Sequence, residues 1–237
     1  EAFDKDREEL LGGLADAGVG TVVNVGASLE GVRRTVELTE KYPFIYGAAG
    51  VHPDEVGALN EKTFGWLKEQ CGRKKIDKED HSIQKEWFVR QLRMAKELKL
   101  PVIIHSREAA ADTFEILKQE KTSECSMVMH CYSYSSEMAK EYLKMGFYLG
   151  IGGVLTFKKG KKLKETVAEA PMEQLLLETD CPYLAPVPYR GKRNDSRKLV
   201  LVAEELGRIK GISADEVIRI TEENARRFFR LEQEERL

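Results

Sequence analysis

Short apolar runs alternate with amphipathic stretches along most of the chain. Thr21–Gly26, Phe44–Ala49, Pro101–Ile104, Ser126–Met129, Phe147–Ile151 and Leu175–Leu177 are brief and almost continuously apolar. Runs of that kind predict strands covered on both faces of a parallel sheet. Helical spacing predicts helices over Ser28–Lys41, Glu61–Gln70, Ser82–Leu98, Glu108–Gln119, Ser135–Met145, Lys162–Ala168, Arg197–Ile209 and Ser213–Phe229. In the long helix the apolar positions are Ile83, Trp87, Val89 or Met94, and Leu98. Ser213 with Glu216 three residues later predicts a capping box.

Strands alternating with helices predict βα units, and a closed barrel of such units needs about eight strands. Six are readable here. The rhythm breaks twice: the helix-like opening EAFDKDREELLGGL follows no strand, and two helices succeed one another through Arg73–Asp80 alone. The expected fold is therefore α/β, a (β/α)8 TIM barrel in which strands 1 and 4 are absent from the residues present, with an open six-stranded sheet as the alternative. If those strands belong to the protein, Ile76 and Asp77 should lie far apart in space. No linker-like stretch divides the sequence, so residues 1–237 are read as one domain.

Composition narrows the class. The 237 residues are 42% hydrophobic and 33% charged, enough for a sizeable core, and the length is close to the ~250 residues of one barrel. No apolar run approaches the ~20 residues of a membrane span. Cys71, Cys125, Cys131 and Cys181 are scattered, with no Cys-x-x-Cys pair. That disfavours a zinc ribbon or a disulfide scaffold and fits a reducing cytoplasm. The sequence begins at Glu1 without an initiator Met or targeting segment, so a longer natural chain is expected.

Candidate chemistry gathers where strands end. His105 closes PVIIH, His130 closes MVMH, His52 follows FIYGAAGV, and Asp180 closes LLLETD. The reactive face of parallel α/β folds lies at the carboxyl ends of strands. Side-chain alternation sets Leu176, Glu178 and Asp180 on one side of their strand. One strand-end histidine is more often structural than a ligand. His105, His130 and Asp180 on three different strands point instead to a divalent cation, since imidazole nitrogen and carboxylate oxygen suit Zn²⁺, Mn²⁺ or Mg²⁺. His52 sits in a Val-His-Pro turn and suits orienting a ligand or phosphate. His81 reads as a solvated residue before a helix, and Asn24 as satisfied by backbone.

Charge is distributed unevenly. Thr156–Lys164 and Pro186–Lys198 together hold ten bases and one acid. That net +9 leaves −11 for the rest of a chain whose total is −2. Such a patch suits a polyanion. Arg107, Arg190, Lys192 and Arg193 are the candidate phosphate contacts, and Tyr132, Tyr134, Tyr183 and Tyr189 could stack on bases. No dinucleotide fingerprint, P-loop or nucleophile elbow occurs, so no nucleotide cofactor is expected.

GVHP (Gly50–Pro53), PVIIHSR (Pro101–Arg107), MHCYS (Met129–Ser133), LLLETDCPYLAP (Leu175–Pro186), YRGKRN (Tyr189–Asn194) and the ITEENARRFF tail closely resemble the TatD family of metal-dependent deoxyribonucleases, in order over essentially the whole chain. The resemblance implies a barrel of the amidohydrolase-like group with one or two divalent metal ions at its mouth. It implies Mg²⁺-dependent DNA hydrolysis, with 3′–5′ exonuclease action described for members; a barrel mouth suits single-stranded DNA or a 3′ end better than a duplex interior. It implies His105 and His130 as metal ligands, and Asp180 as a ligand that can also orient or deprotonate the attacking water. Two family features are missing: the His-x-His of the first strand, and a Glu-bearing strand expected between Ile76 and Asp77. Alternatives are hydrolysis of another ester or amide, including aminoacyl-tRNA deacylation, or a nucleic-acid-binding barrel without catalysis.

Overall fold

The structure is a computed structural model that describes residues 2–71, 76–77, 82–120 and 125–231. His81 lies outside the described residues, as does the Ile83 side chain. The chain forms two compact units, Thr21–Val128 and Glu1–Gly20 with Met129–Leu237.

In the first unit, β1 (Val22–Gly26), β2 (Ile45–Ala49) and β3 (Ile76–Asp77) form a parallel sheet in that order. β1 runs in register with β2 from Val22 opposite Ile45 to Gly26 opposite Ala49. β3 corrects two expectations. It is a seventh strand, lying between α3 (Glu61–Cys71) and α4 (Ser82–Leu98) where none was predicted. Ile76 and Asp77 also pair with the consecutive residues Gly47 and Ala48, so no wide separation exists there. Two residues are too few for a hydropathy pattern; pairing onto β2 defines this strand.

Helix α2 (Leu29–Lys41) starts where the Ser28 hydroxyl accepts the Gly31 N–H at 3.0 Å, satisfying one otherwise orphaned donor. Its buried Val32 and Val36 join Ala49, Val51, Leu59, Leu67, Cys71 and Trp87 in one core cluster. On α4 the buried stripe is Trp87, Phe88, Gln91, Leu92, Met94 and Ala95; Leu98 is half-buried and packs against the same core, and of the two alternatives Met94 is buried and Val89 only half-buried. Asn24 also differs: its amide donates to the Thr35 hydroxyl at 2.7 Å instead of to backbone. The unit continues through β4 (Val102–Ile104) and α5 (Ala110–Gln119) into β5 (Met127–Met129), where the boundary between units falls.

The second unit holds α1 (Arg7–Gly12), α6 (Ser136–Lys144), β6 (Tyr148–Ile151), α7 (Lys161–Glu169), β7 (Leu175–Leu177), α8 (Leu199–Lys210) and α9 (Ala214–Phe229). β6 and β7 are parallel, with Leu149 opposite Leu175. The Asn224 amide of α9 donates to the Met172 and Leu175 carbonyls, fixing that helix against the start of β7. Gly211 ends α8 with φ 72°, a left-handed position that glycine adopts without a Cβ penalty. The Ser213 hydroxyl caps α9 by accepting the Glu216 N–H at 3.1 Å. The Glu216 carboxylate engages Arg219, so the predicted box forms its hydroxyl half. Among the described residues no helix is long and apolar enough to cross a membrane.

Leu67 is fully buried in its cluster. Leu67→Ala is expected to cost about 2–5 kcal/mol, read as a lower urea midpoint at unchanged slope. Loss below about 1 kcal/mol would show that the site collapses around the smaller side chain.

Candidate metal centre

His130 follows β5, and Glu178 and Asp180 follow β7. The His130 Nδ1 lies 2.8 Å from Glu178 Oε2, and its Nε2 lies 3.4 Å from Asp180 Oδ1. The second Glu178 oxygen, Oε1, accepts the Cys131 backbone N–H at 2.8 Å. Strand β6 supplies the space for this carboxylate. A Cβ on Gly150 would stand 2.4 Å from Glu178 Oε2 and 3.2 Å from the Met129 carbonyl oxygen. No side chain larger than hydrogen fits there without displacing Glu178.

The backbone is strained at the same points. Cys131 has φ 46° and Asp180 has φ 52°, left-handed values uncommon for residues with a Cβ. The Cys131 conformation accompanies the N–H contact to Glu178. At Asp180 the carbonyl accepts the Tyr183 N–H at 2.9 Å, closing a turn. Buried Asn194 secures that turn from beneath, donating its side-chain amide to Thr179 O and its backbone N–H to Pro182 O.

Charge follows the geometry. Burial works against a charged His130, but Glu178 and Asp180 outweigh it and move the imidazolium well above its usual range. Burial pushes the Cys131 thiol up to about 12, with help from the same two carboxylates. Two ligands of a tetrahedral ion at about 2.1 Å each stand about 3.4 Å apart, the separation found between His130 Nε2 and Asp180 Oδ1. A carboxylate on the far ring nitrogen is the usual support of a metal-binding histidine. The donor pair thus fits a divalent cation. Among the described residues, however, no group of three or more His, Cys, Asp or Glu is placed to hold one.

In the first unit His52 and His105 lie together, ring centroids 4.5 Å apart. The His52 backbone N–H donates to Ala27 O, and its Nδ1 accepts the Asp54 N–H at 3.3 Å. Arg107 is exposed just beyond.

The basic segments divide by role. Arg193 is exposed, donates to Ala2 O and to both Asp6 oxygens, and lies over Phe3. Lys164 pairs with Glu205, and Arg197 and Lys198 pair with buried Asp195. Lys192 is exposed, as is Arg190, whose guanidinium stacks 4.5 Å from the Phe157 ring centroid. Of the four tyrosines, Tyr132 is buried with its hydroxyl donating to Ser135 O, and Tyr134 packs edge-on against it. Tyr183 and Tyr189 are the exposed pair. Side-chain alternation sets Glu178 on the face of Asp180 without assigning it a role; the spacing of two is the signal the sequence offers.

The chain is similar to known proteins over nearly its full length. The family described as TatD related DNase matches residues 1–230. A Bacillus subtilis protein named as the uncharacterised metal-dependent hydrolase YabD is 41% identical, covering 98% of this chain and 95% of its own. A Cronobacter sakazakii protein named as the 3′–5′ ssDNA/RNA exonuclease TatD is 30% identical over 96% and 93% of the two chains. The crystal structure of YjjV, a TatD homologue from Escherichia coli K12, superposes with a TM-score of 0.89 at 26% identity, covering 97% and 94%. The parallel α/β architecture, with its TatD and amidohydrolase neighbours, is that of the (β/α)8 barrel class.

Burial alone would raise the Asp195 carboxyl, but Arg197 and Lys198 hold it at about 2, below the ordinary 3.8. A lowered folded value contributes stability above the unfolded pKa that disappears as pH falls through the folded one. The advantage of wild type over Asp195→Asn is therefore expected to be about 2 kcal/mol above pH ~4 and to vanish near pH ~2, measured by urea unfolding across that range.

Proposed function

This chain belongs to the TatD-related DNase family and is a metal-dependent hydrolase, and from that premise we propose that it removes nucleotides from the 3′ ends of single-stranded DNA. The observation that best supports this reading is the His130–Asp180 donor pair, followed in sequence by a loop that exposes Tyr183, Tyr189, Arg190 and Lys192. Aromatic faces with interleaved cations suit an unpaired polynucleotide, whose bases stack while its phosphates pair with the bases of the protein.

His130 and Asp180 are proposed metal ligands, as is His105, and imidazole and carboxylate donors suit Mg²⁺, Mn²⁺ or Zn²⁺. A bound divalent cation would lower the pKa of water and polarise a phosphoryl oxygen. Asp180 then orients the attacking water and takes its proton. Arg190 and Lys192 hold phosphates, with Arg107 and His52 as further contacts, while Tyr183 and Tyr189 stack on bases. Arg193 joins them only if Asp6 lets it go. Residues 1–237 act as one hydrolase domain. The scattered cysteines, with no Cys-x-x-Cys pair in the sequence, support a cytoplasmic location.

The test is cleavage of a 5′-labelled single-stranded oligonucleotide with Mg²⁺, Mn²⁺ or Zn²⁺, and with EDTA. A ladder shortening from the 3′ end is expected, abolished by EDTA and reduced at least about 100-fold by His130→Ala. Metal-dependent hydrolysis of esters or aminoacyl-tRNA without any DNA cleavage would overturn the nuclease reading. Arg190→Ala with Lys192→Ala should weaken binding most at low salt and flatten the plot of log affinity against log salt by about 1.4 for two lost phosphate contacts on a single strand.

A further inference from the structure

We infer that Glu178 is a positioning residue that sets which nitrogen of His130 is offered to the metal. The inference rests on the metal-hydrolase reading and adds a residue to it. Each Glu178 oxygen has its own donor: Oε2 meets His130 Nδ1 at 2.8 Å, and Oε1 accepts the Cys131 N–H at 2.8 Å. The carboxylate cannot rotate without losing one of them. A carboxylate is acceptor-only, so the contact to His130 requires a proton on Nδ1. In the neutral ring the lone pair is then on Nε2, the atom facing Asp180 at 3.4 Å. Gly150 completes the device, because a Cβ at that position would stand 2.4 Å from Oε2 and crowd it.

Glutamine makes the logic testable, since it offers one oxygen and one NH₂. If its oxygen keeps the Cys131 N–H, its NH₂ faces Nδ1 and favours the opposite tautomer, with the lone pair turned away from Asp180. If it turns the other way, NH₂ meets N–H at Cys131. Either orientation loses a bond that glutamate makes. Gly150→Ala reaches the same carboxylate by crowding and leaves the residues at positions 130, 178 and 180 unchanged.

The experiment uses the full chain and Zn²⁺ as the probe. Calorimetry gives the Zn²⁺ affinity, ¹⁵N spectra of the Zn²⁺-loaded protein give the His130 ring signals (identified by their loss in His130→Ala), and thermal melts check folding. Glu178→Gln and Gly150→Ala are both expected to weaken Zn²⁺ binding by about 10- to 100-fold and to shift the His130 Nδ1 and Nε2 resonances. If either variant misfolds, the other carries the test. A folded variant with wild-type affinity and unchanged ring signals would overturn the inference while leaving the metal site standing. If wild type itself bound no Zn²⁺, or bound it no better than His130→Ala, the metal reading would fall and the inference with it.

Discussion

Glu178 carries a negative charge into a region only one-fifth open to solvent, and the surrounding fold answers that charge. A buried carboxylate without donors is costly, by several kcal/mol after relaxation. His130 and the Cys131 backbone meet that demand from the strand exit opposite. Gly150 of β6 leaves the volume vacant, the left-handed turn at Cys131 accompanies its N–H contact, and Asp180, two residues after Glu178, sits in a second left-handed turn. The placing of His130 beside Asp180 thus follows from giving one half-buried carboxylate its donors.

The same reasoning separates bases that hold the protein together from bases that face outward. Arg197 and Lys198 satisfy buried Asp195, Lys164 satisfies Glu205, and Arg193 reaches back to Asp6. A formal +9 in sequence therefore overstates the outward field. The outward remainder includes Arg190 and Lys192, beside exposed tyrosines on a loop that Asn194 ties to the Asp180 turn.

Much of this was legible from the chain. Short continuous apolar runs located six strands, and all but Leu175–Leu177 begin one residue later than their pattern, because pairing rather than hydropathy sets where a strand starts. The strand-end histidines and Asp180 were legible because a polar residue closing an apolar run is conspicuous. Other features depend on tertiary contact. β3 is two residues long, Glu178 and His130 are 48 positions apart, and Arg193 and Asp6 are 187 apart. Its place in a strand-end loop suggests Tyr132 for stacking, yet its ring is buried and its hydroxyl is used locally.

The raised thiol of Cys131 has a chemical consequence. Peroxides and alkylating agents attack the thiolate, and burial with two neighbouring carboxylates pushes this thiol up to about 12 and so towards its protonated form. The sulfur adjoining His130 is therefore slow to become a sulfenic acid. Burial first, and the two carboxylates after it, thus keep this thiol in its less reactive protonated form.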